Sequence, residues 1–200
     1  VGDDEQLRPG VPGVLVAGPD QADVGACHAP QVEPHGRRLL PQLEHGPADL
    51  VVANNVFAHV PDIVDFAKGL RALVADHGHV SIEIPHLQRL IDGRLYDTIY
   101  HEHYSYLSLL TTQRVLAAAG LTVVDVEELP THGGSLRTWS RPAEAAGEPS
   151  NEVADVLAAE AATGLNTLAG HMGFAGEVAR ARNDLVAFLG TLDSSTELTK

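Results

Sequence analysis

The segment from Asp49 to Pro85 constrains the fold more than any other part of the chain. Asp49-Leu-Val-Val-Ala-Asn-Asn55 is a short, β-branched apolar run that ends in two amides, the pattern of a buried parallel strand. Pro61 and Asp62 put a proline and an acid where a helix would begin. Ile63, Phe66, Leu70, Leu73 and Val74 then recur at helical spacing. Asp76-His-Gly78 predicts the end of that helix, with Gly78 as a left-handed cap. Val80-Ser-Ile-Glu-Ile84 alternates as a second strand, which Pro85 closes. Strand, helix and strand within about 36 residues is the size of a right-handed parallel crossover. The expected class is therefore α/β.

The rest of the chain is arranged around this unit. Residues 1–47 read as irregular: Val14–Ala17 suits a short strand, but Pro30, Pro34, Gly36 and Pro41 interrupt any period. Residues 48–141 form the sheet-bearing body. After Pro85, residues His86–Leu95 read as a linker with a short helical turn. Leu109 to Ala119 predicts a helix, with Thr111 and Thr112 as candidate caps and Gly120 as its stop. Leu121–Val126 and Ser135–Ser140 predict two strands joined by a turn at Thr131–Gly134, hence antiparallel. Residues 142–150 read as a linker, and 151–200 as a helical extension of two helices, broken near Gly164, Gly170, Gly173 and Gly176.

Composition excludes several functions. A formal net charge of −14 lacks the basic footprint of a nucleic-acid binder. One cysteine, Cys27, makes neither an internal disulfide nor a thiolate zinc site. No apolar run reaches the roughly 20 residues of a bilayer span, and the Val-Gly-Asp-Asp start does not resemble a signal peptide. A soluble, cytoplasmic protein is the expectation. The sequence leaves the oligomeric state open.

The chemistry concentrates in Tyr96-Asp-Thr-Ile-Tyr-His-Glu-His-Tyr-Ser-Tyr106, which holds all 4 tyrosines of the chain. Histidines exchange protons near neutral pH, and phenols donate hydrogen bonds to an oxygen that is gaining charge. His101 and His103 flank Glu102 within this run. A polar loop with a chance cluster is the plainer alternative.

Taken in order, Asn54-Asn-Val-Phe-Ala-His-Val-Pro-Asp62, the helix, and the strand ending Glu83-Ile-Pro85 resemble the second half of a class I S-adenosylmethionine-dependent methyltransferase. With the Tyr-His-Glu-His element and His132-Gly-Gly-Ser-Leu-Arg137, the chain resembles the sugar C-methyltransferases that act on nucleotide-linked 4-keto-6-deoxyhexoses. The resemblance runs from about Glu44 to Arg137 and continues weakly to Leu189. It implies a Rossmann-like sheet, S-adenosylmethionine as methyl donor and a nucleotide-linked deoxysugar as substrate. It also implies His103 as the base, with Glu102, Tyr100 and His59 as further catalytic groups. Asn54, Asn55 and Val56 would touch the cofactor, and His101, Tyr104, His132, Ser135 and Arg137 the substrate. The family opens with a cysteine-built zinc domain and a Gly-rich cofactor loop, neither of which is legible here. The sequence therefore reads as a central portion, a truncated or impaired copy of such an enzyme. The helices at 151–200 would lead towards a further domain.

Each assignment has a structural alternative: His103 as a loop histidine bonding backbone, Glu102 as a solvated carboxylate, His59 as a helix-entry residue. The two asparagines would equally satisfy local backbone, and Arg137 would equally sit on the surface beside a tight turn. Three rivals stand beside the enzyme. One is a non-catalytic remnant that binds nucleotide-sugar or a partner protein. Another is a metal site using His101 and His103 with His59 or His86. The third is an oligomerising helical module over residues 151–189.

Overall fold

A computed structural model describes residues 14–17 and 46–191. The readings made on Val1–Asp4, Cys27 and the prolines between 30 and 41 lie outside the described residues. Five strands form one sheet: β1 (Val14–Ala17), β2 (Ala48–Asn54), β3 (Val74–Pro85), β4 (Leu121–Leu129) and β5 (Ser135–Pro142), in the order β1-β2-β3-β5-β4. β1 pairs with β2, and β2 with β3, in parallel. β5 runs antiparallel to both β3 and β4. The parallel crossover and the antiparallel return match the sequence expectation.

The core lies on one face of this sheet. Val51 and Ala53 of β2, Val80, Ile82 and Ile84 of β3, and Leu136 of β5 are buried there. Helices α1 (Ile63–Leu73), α3 (Leu109–Ala118) and α4 (Asn151–Ala162) cover it with Ala67, Leu70, Leu109, Leu116 and Val153. The alternation of β-strand side chains sends Asn54, Glu83, Arg137 and Glu127, lateral neighbours in the pairing, to the opposite face.

Three local expectations change. The α1 helix is capped by Asp62, whose carboxylate accepts from the Asp65 N–H at 2.9 Å. It ends at Leu73, not at Gly78, because β-branched Val74 is already extended and begins β3. Gly78 is a strand residue, where β2 advances from Ala48 to Leu50 while β3 advances from Val74 to His79. A Cβ at Gly78 would stand 2.8 Å from the Asp49 carbonyl oxygen and 2.9 Å from that of Ala48. The glycine is needed for this close approach and not for a cap. Gly78→Ala is therefore expected to cost about 1–3 kcal/mol by overpacking, seen as a lower urea midpoint at unchanged slope.

The cap of α3 is Ser108, one turn before the predicted threonines. Its Oγ accepts the Thr111 N–H at 3.1 Å, while Thr111 Oγ1 accepts the Ser108 N–H at 2.9 Å. This reciprocal box uses Thr111 in the answering position. Gly120 does stop the helix, at φ +78°. Beyond α4 the described chain makes two more helices, α5 (Leu168–Met172) and α6 (Phe174–Thr191), where two in all were expected. The linker 86–95 holds α2 (Leu87–Gly93). No helix among the described residues is long and apolar enough to cross a membrane.

Candidate active site

The site assembles past the C-terminal ends of β2 and β3, where open α/β sheets leave a crevice. The strand β2 ends at Asn54, and Asn55 takes a left-handed conformation with φ 53°. Its N–H donates to the Glu83 carbonyl at 2.8 Å, which ties it to the end of β3. Asparagine tolerates this conformation better than most residues. Asn54 Oδ1 and Asn55 Oδ1 are both buried with no hydrogen-bond partner among the described residues. A buried carbonyl left without a donor is costly.

Val56 then starts a short turn over Phe57–His59, its carbonyl accepting the His59 N–H at 2.9 Å. The Ala58 carbonyl next to it accepts the N–H groups of Tyr104 at 2.8 Å and Ser105 at 3.3 Å. This contact lays the tyrosine-histidine segment against the end of β2. It brings the His59 and His103 rings edge to face, with centroids 4.6 Å apart.

His103 is the centre of the cluster. Its Nδ1 lies 3.1 Å from the Thr98 carbonyl oxygen, which can only accept. The Nδ1 atom of a neutral ring therefore carries the proton and donates it to Thr98, leaving Nε2 bare. The Tyr100 hydroxyl lies 3.0 Å from Nε2 and donates to it. Tyr106 meets the ring at 5.8 Å between centroids, also edge to face. Partial burial lowers the His103 pKa below its ordinary value of 6.5, and charge on His59 lowers it further. The Thr98 carbonyl and the Glu102 carboxylate oppose that shift. The ring is thus held neutral, in one tautomer, with a basic nitrogen beside a phenol.

The lowered value sets a pH dependence. Folding depresses the proton affinity of His103, so its contribution to stability is complete above the unfolded value near 6.5. That contribution is lost as pH falls through the lower, folded value. His59→Asn removes that neighbouring imidazole, and the His103 titration followed by NMR is expected to move up towards 6.5.

The other predicted residues are distributed differently. His101 and Glu102 stand out in solvent, 4.0 Å from each other. Tyr104 is exposed, and Tyr100 is half-exposed beside Ile99. His132 is exposed at φ 53° in the turn Thr131–Gly133. Ser135 is buried, its hydroxyl donating to the Thr131 carbonyl at 3.0 Å. Arg137 donates to Glu83 Oε2 at 3.0 Å and lies 3.5 Å from Glu127 Oε2. Thr131 Oγ1 donates to the second Glu83 oxygen at 3.0 Å. Among the described residues no three histidine, cysteine, aspartate or glutamate side chains converge as metal ligands.

Sequence reasoning missed Thr98, whose carbonyl chooses the tautomer, and Glu83, the buried acid that engages Arg137. The signal for Glu83 was present, as a charged residue inside the alternating Val80–Ile84 strand.

A methyltransferase-domain family model matches residues 11–126, and a C-methyltransferase C-terminal domain model matches residues 130–198. Over 138 residues, 69% of this chain, the sequence is 39% identical to the C-methyltransferase NovU of Streptomyces niveus. The match takes in 33% of that protein, so the chain spans about a third of the length of this curated relative. Among solved structures, the O-methyltransferase NcsB1 from neocarzinostatin biosynthesis overlaps with a TM-score of 0.39 at 18% identity, over 48% of this chain and 29% of that one. The trans-methyltransferase CalH overlaps with a TM-score of 0.39 at 19% identity, over 48% and 30%. At such TM-scores the family is read from the sequence models and not from these overlaps.

Proposed function

Because the methyltransferase-domain model spans residues 11–126 of 200, the chain belongs to that family of S-adenosylmethionine-dependent enzymes, and we propose that it carries the base-bearing part of a C-methyltransferase. The proposed substrate is a nucleotide-linked 4-keto-6-deoxyhexose. The observation that carries this reading is the bare Nε2 of His103, fixed by Thr98 and set beside the Tyr100 hydroxyl.

Methylation at carbon beside a ketone needs a base, a group to receive oxyanion charge, and alignment with the methyl donor. In this reading His103 Nε2 takes the proton from the carbon next to the keto group. Tyr100 turns its O–H from Nε2 to the keto oxygen as negative charge gathers there, which frees the nitrogen at the moment it is needed. His59 packs against the base and holds the ring plane. The substrate carbanion forms the new C–C bond, His103 is left protonated, and its proton passes to solvent.

The acceptor pair Asn54 and Asn55 fits a methyl donor of the amino-acid type, since its ammonium and ribose hydroxyls supply the donors that these oxygens lack. When bound there with Val56 alongside, that donor would supply an electrophilic methyl on positive sulfur and leave as a neutral thioether. No metal ion is required for such an in-line displacement. In this reading the exposed side chains of His101, Glu102, Tyr104 and His132 bind the sugar and nucleotide.

The test separates the half-reactions. The full-length protein is incubated in deuterated water with a nucleotide-linked 4-keto-6-deoxysugar and no methyl donor. Deuterium entering at the carbon beside the ketone supports His103 as a carbon base, and added S-adenosylmethionine should then give a product heavier by one methyl. Absence of both signals would defeat the proposal. Deuterium without methyl would assign the chain a role in proton exchange alone.

A further inference from the structure

Glu160 is buried at 2% exposure on α4, yet every hydrogen bond of its carboxylate goes to a segment far away in sequence. Its Oε1 accepts the Leu109 N–H at 2.5 Å, and His86 Nε2 donates to the same oxygen at 2.9 Å. Its Oε2 accepts the Leu110 N–H at 3.1 Å. Leu109 and Leu110 are the first two residues of α3, where free N–H groups and the helix dipole favour an anion. Ser108 takes the third N–H of that turn. The carboxylate therefore completes the cap of a helix with which it shares no local sequence.

That helix begins where the His103 segment ends. The Leu107 carbonyl accepts the Leu87 N–H at 2.9 Å, and His86 and Leu107 form a parallel bridge. Upstream, Tyr104 and Ser105 are held on Ala58. The chain that follows His103 is consequently fixed at two points: at Tyr104 and Ser105 by the Ala58 carbonyl, and at the start of α3 by the junction of His86, Leu107 and Leu109. A buried, three-bonded carboxylate from α4 locks the second of these points. Nothing else in the described chain joins α4 to this junction through a charged group.

Resting on the reading of His103 as the base, we infer that Glu160 is a positioning residue: by clamping His86 and the start of α3, it makes the docking of α4 set the placement of the His103 ring. It touches no reacting atom. The clamp would make the geometry of the base depend on how α4 docks.

The test compares two variants that weaken the same helix start. Glu160→Gln keeps the side-chain size but presents an amide N–H to groups that are all donors. Ser108→Ala removes the local cap and leaves the clamp. Thermal melting measures the stability lost in each, and the His103 ring is titrated by NMR in both and in the parent chain. The expected result is that Glu160→Gln moves the His103 midpoint up, because a loosened ring is less desolvated, and blurs the single-tautomer ring nitrogen signals. Ser108→Ala, with a comparable drop in melting temperature, should leave both unchanged. Equal His103 behaviour in the two variants would overturn the inference, leaving Glu160 as a cap alone. If Glu160→Gln does not fold, His86→Gln, which removes one arm of the clamp, is titrated in its place with the same two outcomes. The readout needs no turnover. A failed methylation assay with intact coupling would therefore sink the enzyme reading and not the clamp.

Discussion

Replacing His103 with asparagine is expected to lower methyl transfer to carbon by about 10²–10⁴-fold, the usual contribution of a positioned base. The side-chain amide of asparagine can still donate to the Thr98 carbonyl that now receives Nδ1–H, so the loop should keep its shape. What is lost is the bare nitrogen that faces Tyr100. The effect should therefore appear in kcat, with methyl-donor affinity and melting temperature little changed. Deuterium entry at the carbon beside the ketone should fall in the same proportion, because both reactions begin with the same proton. Assays of labelled methyl transfer and of solvent deuterium in the full-length protein measure the two together. Methyl transfer at the parent rate would show that another group removes the proton. A fall in methyl transfer with unchanged deuterium entry would place His103 after that step.

Much of this arrangement is legible in the amino-acid sequence, for physical reasons that differ between elements. The parallel crossover declares itself because a buried strand and an amphipathic helix have different periods, and Ala48–Pro85 shows both. The antiparallel return at β5 follows from a turn too short for a crossover. Local stops are harder. Gly78 looks like a helix cap in sequence, and only the nearness of the Asp49 and Ala48 carbonyls shows that it permits strand approach. Ser108 is hidden because two threonines nearby offer the same chemistry, and the choice depends on which residue leaves the helical conformation first.

The site divides in the same way. A rare concentration of tyrosine and histidine marks the segment, but no sequence pattern says that the Thr98 carbonyl will hold Nδ1. Nor does it say that His101, two residues away, will face water. Glu160 does leave a trace. In α4 it stands with Val153, Val156 and Leu157 on the stripe that faces the core, where an acid is out of place unless something bonds it. Its partners at positions 86, 109 and 110 come from tertiary folding alone.

Arg137→Met should destabilise the protein by about 2–3 kcal/mol, because it leaves the buried Glu83 carboxylate with too few donors. Glu83 is 5% exposed, with Thr131 Oγ1 on one oxygen and Arg137 on the other. The estimate sits below the roughly 3–5 kcal/mol of a fully buried pair because the Arg137 side chain remains 32% exposed. Pairing the change with Glu83→Gln removes the stranded charge, and the double variant should recover most of the loss in a urea melt. That recovery makes a second question answerable. If Arg137 also reaches a substrate diphosphate, the double variant will be stable but will bind the nucleotide-linked sugar weakly, since a charge-assisted bidentate contact is gone. If its role ends at Glu83 and Glu127, the stable double variant will bind as the parent does. A double variant no more stable than Arg137→Met would show that the pair does not carry the stability assigned to it, and that the row across the sheet is held by its backbone bonds.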